Sequence, residues 1–305
     1  MRTKVKHYEL TPNRRTGVGS YLSQNWIEVD AVLDEKLDEL QVEDAYAESL
    51  ALNDLLPWNQ VKPRSLSLLP IATACQARCE FCFSHSSISD DQQQGKIDLR
   101  QLDEICARSV AEGAERLVIT GGGEPTLLAH EKLLEILRVG KRHFDKIVMI
   151  TNGYKLGHTT ESDRLRCLKD YADAGLTVLS ISRHSHDRNT EIMKLDTKSE
   201  LVAETWKRNA LPLELRWVCV LQRQGVHDEA SLRAYLGWVT ETGVKEVCFK
   251  ELYVAATSES VYHDGNYNEW CKRNQVSMKL VLNFLVQHHA KKVAELPWGS
   301  PIYVL

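Results

Sequence analysis

From residue 66 onward the chain alternates short β-rich runs with amphipathic stretches, and no other feature narrows its fold as much. Strand-like runs, apolar, β-branched or mixed, fall at 66–71, 116–120, 146–151, 177–182, 214–221 and 245–249. Periodic apolar residues at helical spacing fill the intervals at 99–111, 128–139, 163–174, 200–209 and 229–240. Gly113, Gly140, Gly175 and Gly243 stand just past four of these helices, where a left-handed C-cap suits glycine. Six strands separated by helical crossovers predict an α/β domain with a parallel sheet. With 305 residues, 43% of them apolar, the chain can bury the core of one barrel-like domain with decorations.

The flanks read differently. Residues 1–19 are polar and basic, with Arg2, Lys4, Lys6, Arg14 and Arg15, and are expected to form a mobile or capping arm. Residues 25–56 turn acidic and space Val32, Leu33, Leu37 and Leu40 as amphipathic helices do. Pro57 and Pro63 bracket the linker into the first core strand. The tail, 252–305, gathers Tyr253, Tyr262, Tyr267, Trp270, Trp298 and Tyr303 around an expected helix at 277–290, and reads as a cap. The expected divisions are thus 1–64, 65–251 and 252–305. No apolar run reaches the length of a membrane span. A net charge of −4 offers no basic face for nucleic acid.

The chemistry centres on ATACQARCEFCFS, residues 72–84, directly after the first strand. Cys75, Cys79 and Cys82 stand in a C-x3-C-x2-C spacing, close enough to hold one soft metal centre. An iron–sulfur cube held wholly by protein takes four ligands, so three thiolates leave one iron open for chemistry. A structural zinc site is the alternative, with His85 completing a Cys3His set. The other five cysteines, Cys106, Cys167, Cys219, Cys248 and Cys271, are scattered singly. That pattern disfavours disulfides and a second fully protein-held cluster, and it suits a reducing, cytoplasmic setting.

The cysteine loop, with aromatic Phe81 before its last cysteine, is followed by GGGEP at 121–125 after the second strand. Together these motifs resemble the radical S-adenosylmethionine (SAM) superfamily. The resemblance implies a partial, six-stranded (β/α)6 TIM-like barrel, which the count of strand–helix units matches. It implies a [4Fe–4S] cluster on Cys75, Cys79 and Cys82, and SAM bound at the open iron. It further implies reductive cleavage of SAM to a 5′-deoxyadenosyl radical that takes hydrogen from a small-molecule or peptide substrate. An electron donor such as flavodoxin or ferredoxin would be the partner. Epimerisation, dehydrogenation or dehydration, and carbon–carbon bond formation are the reaction types left open.

Parallel α/β barrels place reactive loops at the carboxyl ends of their strands, where all these motifs fall. By resemblance, Gly122, Gly123 and Glu124 hold the SAM amino group, while Thr151, Asn152 and Ser182 line its pocket with Phe81. Many relatives carry Leu-Asp where this chain has Arg183 and His184. Period-two alternation turns Ser180, Ser182 and His184 inward and Arg183 outward. In the fifth strand an inward Arg216 meets either the SAM carboxylate or Glu214. In the sixth, Val247 and Phe249 suit the helix layer, so Cys248 and Lys250 face inward. Cys248 and Cys271 are the candidate hydrogen donors for an epimerase, and Lys250 joins them as a candidate catalytic group.

Overall fold

The structure, a computed structural model of the chain, describes residues 62–72, 74–82, 97–254, 266–295 and 300–305, and the backbone of 4–12 and 19–28. Two compact units divide it: Ser65–Leu280, and Met1–Arg64 with Val281–Leu305. The chain opens on β1 (Lys4–Pro12) and β2 (Gly19–Glu28), which pair antiparallel with a register shift between Tyr8 and Leu10. This corrects the expected arm. Tyr8, Tyr21, Trp26 and Ile27 are strand-favouring residues, and pairing satisfies backbone groups that a free arm leaves to water. The helices expected to follow lie outside the described residues.

The larger unit carries six parallel strands in sequence order: β3 (Leu66–Leu68), β4 (Leu117–Ile119), β5 (Ile147–Thr151), β6 (Val178–Ser182), β7 (Glu214–Val220) and β8 (Glu246–Lys250). The sheet is open, with β3 and β8 at its edges, as a partial barrel requires. Between strands run α1 (Leu99–Glu112), α2 (His130–Lys141), α3 (Tyr154–Gly157), α4 (Glu161–Ala174), α5 (Asn189–Met193), α6 (Glu200–Arg208) and α7 (Glu229–Thr242). Asp98, Thr160 and Asp228 accept backbone N–H groups at the starts of α1, α4 and α7, satisfying donors that a helix leaves open. Glycines 113, 175 and 243 end those helices with positive φ. Gly140 does not: it lies inside α2, where a Cβ would stand 2.6 Å from Leu117 Cδ2, so it is a packing glycine.

Register divides the strand residues between two faces. Leu117, Ile147, Met149, Leu179, Ile181 and Trp217 are fully buried against the helices. Each contributes about 1.5–3 kcal/mol of apolar burial. Trp238 of α7 packs on Trp217, and Tyr235 meets Phe249 edge-on. On the opposite, inner face Ser180 pairs with Arg216, Ser182 with Val218, Arg216 with Glu246, Val218 with Cys248, and Val220 with Lys250. The inward readings of Ser180, Ser182, Arg216, Cys248 and Lys250 therefore agree with the register. Arg183 turns into the helix layer, where it pairs with Glu200 at 2.5 Å and covers the Trp238 ring at 4.8 Å.

Beyond β8 come α8 (Asn266–Asn274) and α9 (Lys279–Gln287), then β9 (Lys291–Glu295) and β10 (Pro301–Val304), an antiparallel pair in the smaller unit. Among the described residues no helix is long and apolar enough to cross a membrane.

Candidate functional site: a thiol loop locked to a glycine loop

The cysteine loop leaves β3 and is fixed by backbone bonds on two sides. Gly123 N–H donates to Ile71 O and Glu124 N–H to Ala74 O, both at 2.8 Å, which seats the glycine loop after β4 against it. On the other side Arg78 N–H donates to Met193 O at 3.0 Å, and Lys194 pairs with Glu80 at 2.6 Å. The glycines are required by this closeness. A Cβ on Gly122 would fall 1.7 Å from Ala72 O, and one on Gly123 would fall 2.2 Å from Ala74 O. Both obstructions are backbone. These two glycines thus serve loop-to-loop packing first, a use that the sequence motif alone did not reveal.

The three loop thiols feel one another. Burial raises the Cys75 thiol above its ordinary value, opposed by a hydrogen bond from Ala77 and reinforced by Glu124. Cys79 is pushed up to about 12 by burial, then by its neighbours Cys82 and Cys75. Thiols are metal ligands as thiolates, so a soft cation that takes these three displaces their protons. The donor set is therefore chemically suited to an iron–sulfur centre. Among the described residues no three His, Cys, Asp or Glu groups, these thiols included, are placed as they would be around a metal ion. His85 lies outside the described residues.

Glu124 is the hub of the site. Its carboxylate is 3% exposed and accepts four bonds. Thr126 N–H at 3.0 Å, Thr126 Oγ1 at 2.7 Å and Thr151 Oγ1 at 2.5 Å reach Oε1, while Asn152 N–H reaches Oε2 at 2.8 Å. It also caps the 3₁₀ turn Pro125–Leu127. Thr151 Oγ1 accepts in turn from Gly153 N–H. Asn152 Oδ1 accepts from Tyr154 N–H at 2.8 Å, while its amide nitrogen donates to Gln76 Oε1 at 3.1 Å and to Cys75 Sγ at 3.6 Å. One carboxylate thereby couples the ends of β4 and β5, and through Asn152 the thiol loop.

At the carboxyl end of β6 stands His184, 3% exposed. Val220 N–H donates to its Nδ1 at 3.1 Å, so the ring proton resides on Nε2. Burial, then Arg183 and Lys250, lower its pKa to about 3 and keep the ring neutral. Phe81 meets this ring edge-on at 4.9 Å. Phe81 and Val220 also pack on the buried pair Leu252 and Cys271, beside Val254 and Trp270. The structure so brings Cys271, from α8, to the residue preceding Cys82. Cys248 is half-buried on the inner face, and Lys250 is exposed at the end of β8.

Arg216 pairs with Glu246, Nη2 to Oε1 at 2.6 Å, across the β7–β8 register. Glu246 was not among the partners the sequence suggested, and only the strand register could have found it. Two buried polar groups were also unforeseen. Ser180 Oγ and both ends of the Gln222 carboxamide have no hydrogen-bond partner among the described residues. Ser180 faces inward, and Gln222 follows β7 at the same alternation as Val218 and Val220. A buried polar group left unpaired marks a place where a ligand or water completes the site.

The larger unit is thus an open, parallel α/β partial barrel with three cysteines in the loop after its first strand. Residues 69–209 match the Radical SAM superfamily. This part of the chain is thus similar to that superfamily, whose members use a [4Fe–4S] cluster and SAM. Among curated proteins, the chain is 25% identical to a GTP 3′,8-cyclase of Paracoccus denitrificans over 190 residues, 60% of this chain and 51% of that protein. It is 31% identical to the GTP 3′,8-cyclase of Synechococcus elongatus over 121 residues, 39% of this chain and 34% of that protein. The chain thus spans about half or less of the length of these relatives. Methylornithine synthase shares the fold, with a TM-score of 0.51 at 12% identity, covering 95% of this chain and 75% of that one.

Proposed function

We propose that this protein reductively cleaves SAM and uses the product to abstract hydrogen from a small-molecule or peptide substrate. The observation that carries this reading is the thiol loop of Cys75, Cys79 and Cys82 clamped by backbone bonds to the glycine loop at 121–124. A bound cluster, reduced by an external donor, would supply one electron to the SAM sulfonium, whose cleavage to methionine would provide the means of attacking an unactivated C–H bond. Everything else falls to the chain. Cys75, Cys79 and Cys82 would hold the cluster, and SAM would bind beside it. The glycine-loop backbone, Phe81 and inward Ser182 hold the cofactor, and the ends of β6 to β8 receive the substrate. Ser180 and Gln222 support a polar occupant, because a dry apolar chamber would leave them unsatisfied. Neutral His184 and the apolar cluster around Cys271 limit water near the reacting centre. Cys271 and Cys248 are the candidates to return a hydrogen atom should the reaction be an epimerisation, with Lys250 at the rim.

The lone cysteines suit a cytoplasmic setting, with flavodoxin or ferredoxin as the electron donor. The relatives named above make GTP the first substrate to supply. The zinc reading, with His85 as the fourth ligand, is the alternative, and metal analysis separates the two. The deciding experiment is anaerobic reconstitution with iron and sulfide, followed by SAM and dithionite. Methionine and 5′-deoxyadenosine should accumulate, and Cys79→Ala should abolish both. One tightly held zinc and no cleavage would overturn the proposal.

A further inference from the structure

Asn152 falls where the resemblance puts the SAM pocket, but the geometry points to a different role, and we infer that its side-chain amide tunes the cluster through Cys75. Orientation comes first. An amide can sit in two ways, and only its hydrogen-bond partners decide between them. Here Tyr154 N–H donates to Oδ1 at 2.8 Å, which fixes the oxygen on the α3 side and turns the NH2 group to the thiol loop. The Asn152 backbone N–H is meanwhile held by Glu124 Oε2 at 2.8 Å, so the residue cannot swing away as a unit. Each amide hydrogen then has one acceptor, Gln76 Oε1 at 3.1 Å and Cys75 Sγ at 3.6 Å, the latter within range for a sulfur acceptor. The amide is fully engaged, with no donor left to point at SAM.

A donor aimed at a cluster sulfur has a definite electrostatic effect. Reduction adds negative charge that spreads onto the sulfurs, and an N–H bond to one of them stabilises the reduced state more than the oxidised one. Asn152 therefore raises the potential of the centre and eases its reduction. The device is rigid because Glu124 and the turn after β5 hold it, and it acts on a ligand rather than on the reacting atoms. Asn152 is in this sense a positioning and tuning residue. The inference rests on the radical SAM reading of the loop.

The test is a redox titration of the reconstituted protein without SAM, monitored by the visible absorption and electron paramagnetic resonance of its cluster. Asn152→Asp keeps the oxygen that Tyr154 needs, removes both donors and sets a carboxylate oxygen by the thiolate. Asn152→Ala removes the donors alone. The expected midpoint potentials fall in the order wild type, Asn152→Ala, Asn152→Asp. Gln76→Ala, which spares the bond to sulfur, stays near wild type. An Asn152→Asp potential equal to or above wild type overturns the inference. Should neither variant hold its cluster, wild-type protein labelled with ¹⁵N at asparagine side chains decides. A resolved ¹⁵N coupling to the reduced centre supports the bond to Cys75, and its absence overturns it. A wild-type protein that holds no four-iron cluster would instead defeat the underlying reading.

Discussion

At the scale of single residues, the site is held by groups that spend their hydrogen-bonding capacity on one another. Glu124→Gln replaces one acceptor oxygen by an NH2 that faces donors, and leaves buried partners unmatched. The expected cost is about 1–3 kcal/mol in chemical denaturation, and iron content after reconstitution should fall with it. Gln222 behaves oppositely. Its carboxamide is buried with neither end paired among the described residues, so Gln222→Met should raise the stability of ligand-free protein by about 1 kcal/mol. A melting temperature below wild type would show that an ordered water already satisfies it. His184 sets a pH dependence. Its folded pKa is near 3 while the unfolded ring titrates near its ordinary value of 6.5. The unfolded chain binds the extra proton between those values, so stability is complete above about pH 6.5 and falls as pH drops. The slope approaches about 1.4 kcal/mol per pH unit, and His184→Asn should flatten it between about pH 6.5 and 5 in denaturant titrations.

At the scale of elements, the loops after β3 and β4 behave as one piece. Gly122→Ala and Gly123→Ala would drive a methyl group into a carbonyl of the thiol loop. Each should cost at least about 1–3 kcal/mol and displace the cysteines, read as lost iron binding. Gly237 in α7 is the counterpart: a Cβ there meets nothing within 4 Å, so Gly237→Ala should add about 0.5–1 kcal/mol through helix propensity. The six strands and the helices of the barrel were legible in the sequence because periodicity and caps act locally. Asp98, Asp228 and the three capping glycines carry that information in single positions. The thiol and glycine motifs were legible for the same reason. Register was not: the Arg216–Glu246 pair joins residues on different strands and exists only once β7 and β8 align. Gly140 failed for a related reason, since its packing against Leu117 is invisible without the sheet beneath it. Strands β1 and β2 were hidden because charge in the first residues masked a pattern of aromatic and β-branched residues.

At the scale of the whole molecule, the unit Ser65–Leu280 contains all six barrel strands and every residue assigned to the site. A fragment of those residues should fold and take up iron and sulfide with the full chain's visible spectrum. An insoluble fragment, or one that binds no iron, would show that the flanks supply part of the site. The interlocking of the thiol and glycine loops carries one more implication. Because Gly123 and Glu124 donate backbone bonds to Ile71 and Ala74, a disturbance in one loop is passed to the other, and paired substitutions in the two should be non-additive in denaturant titrations.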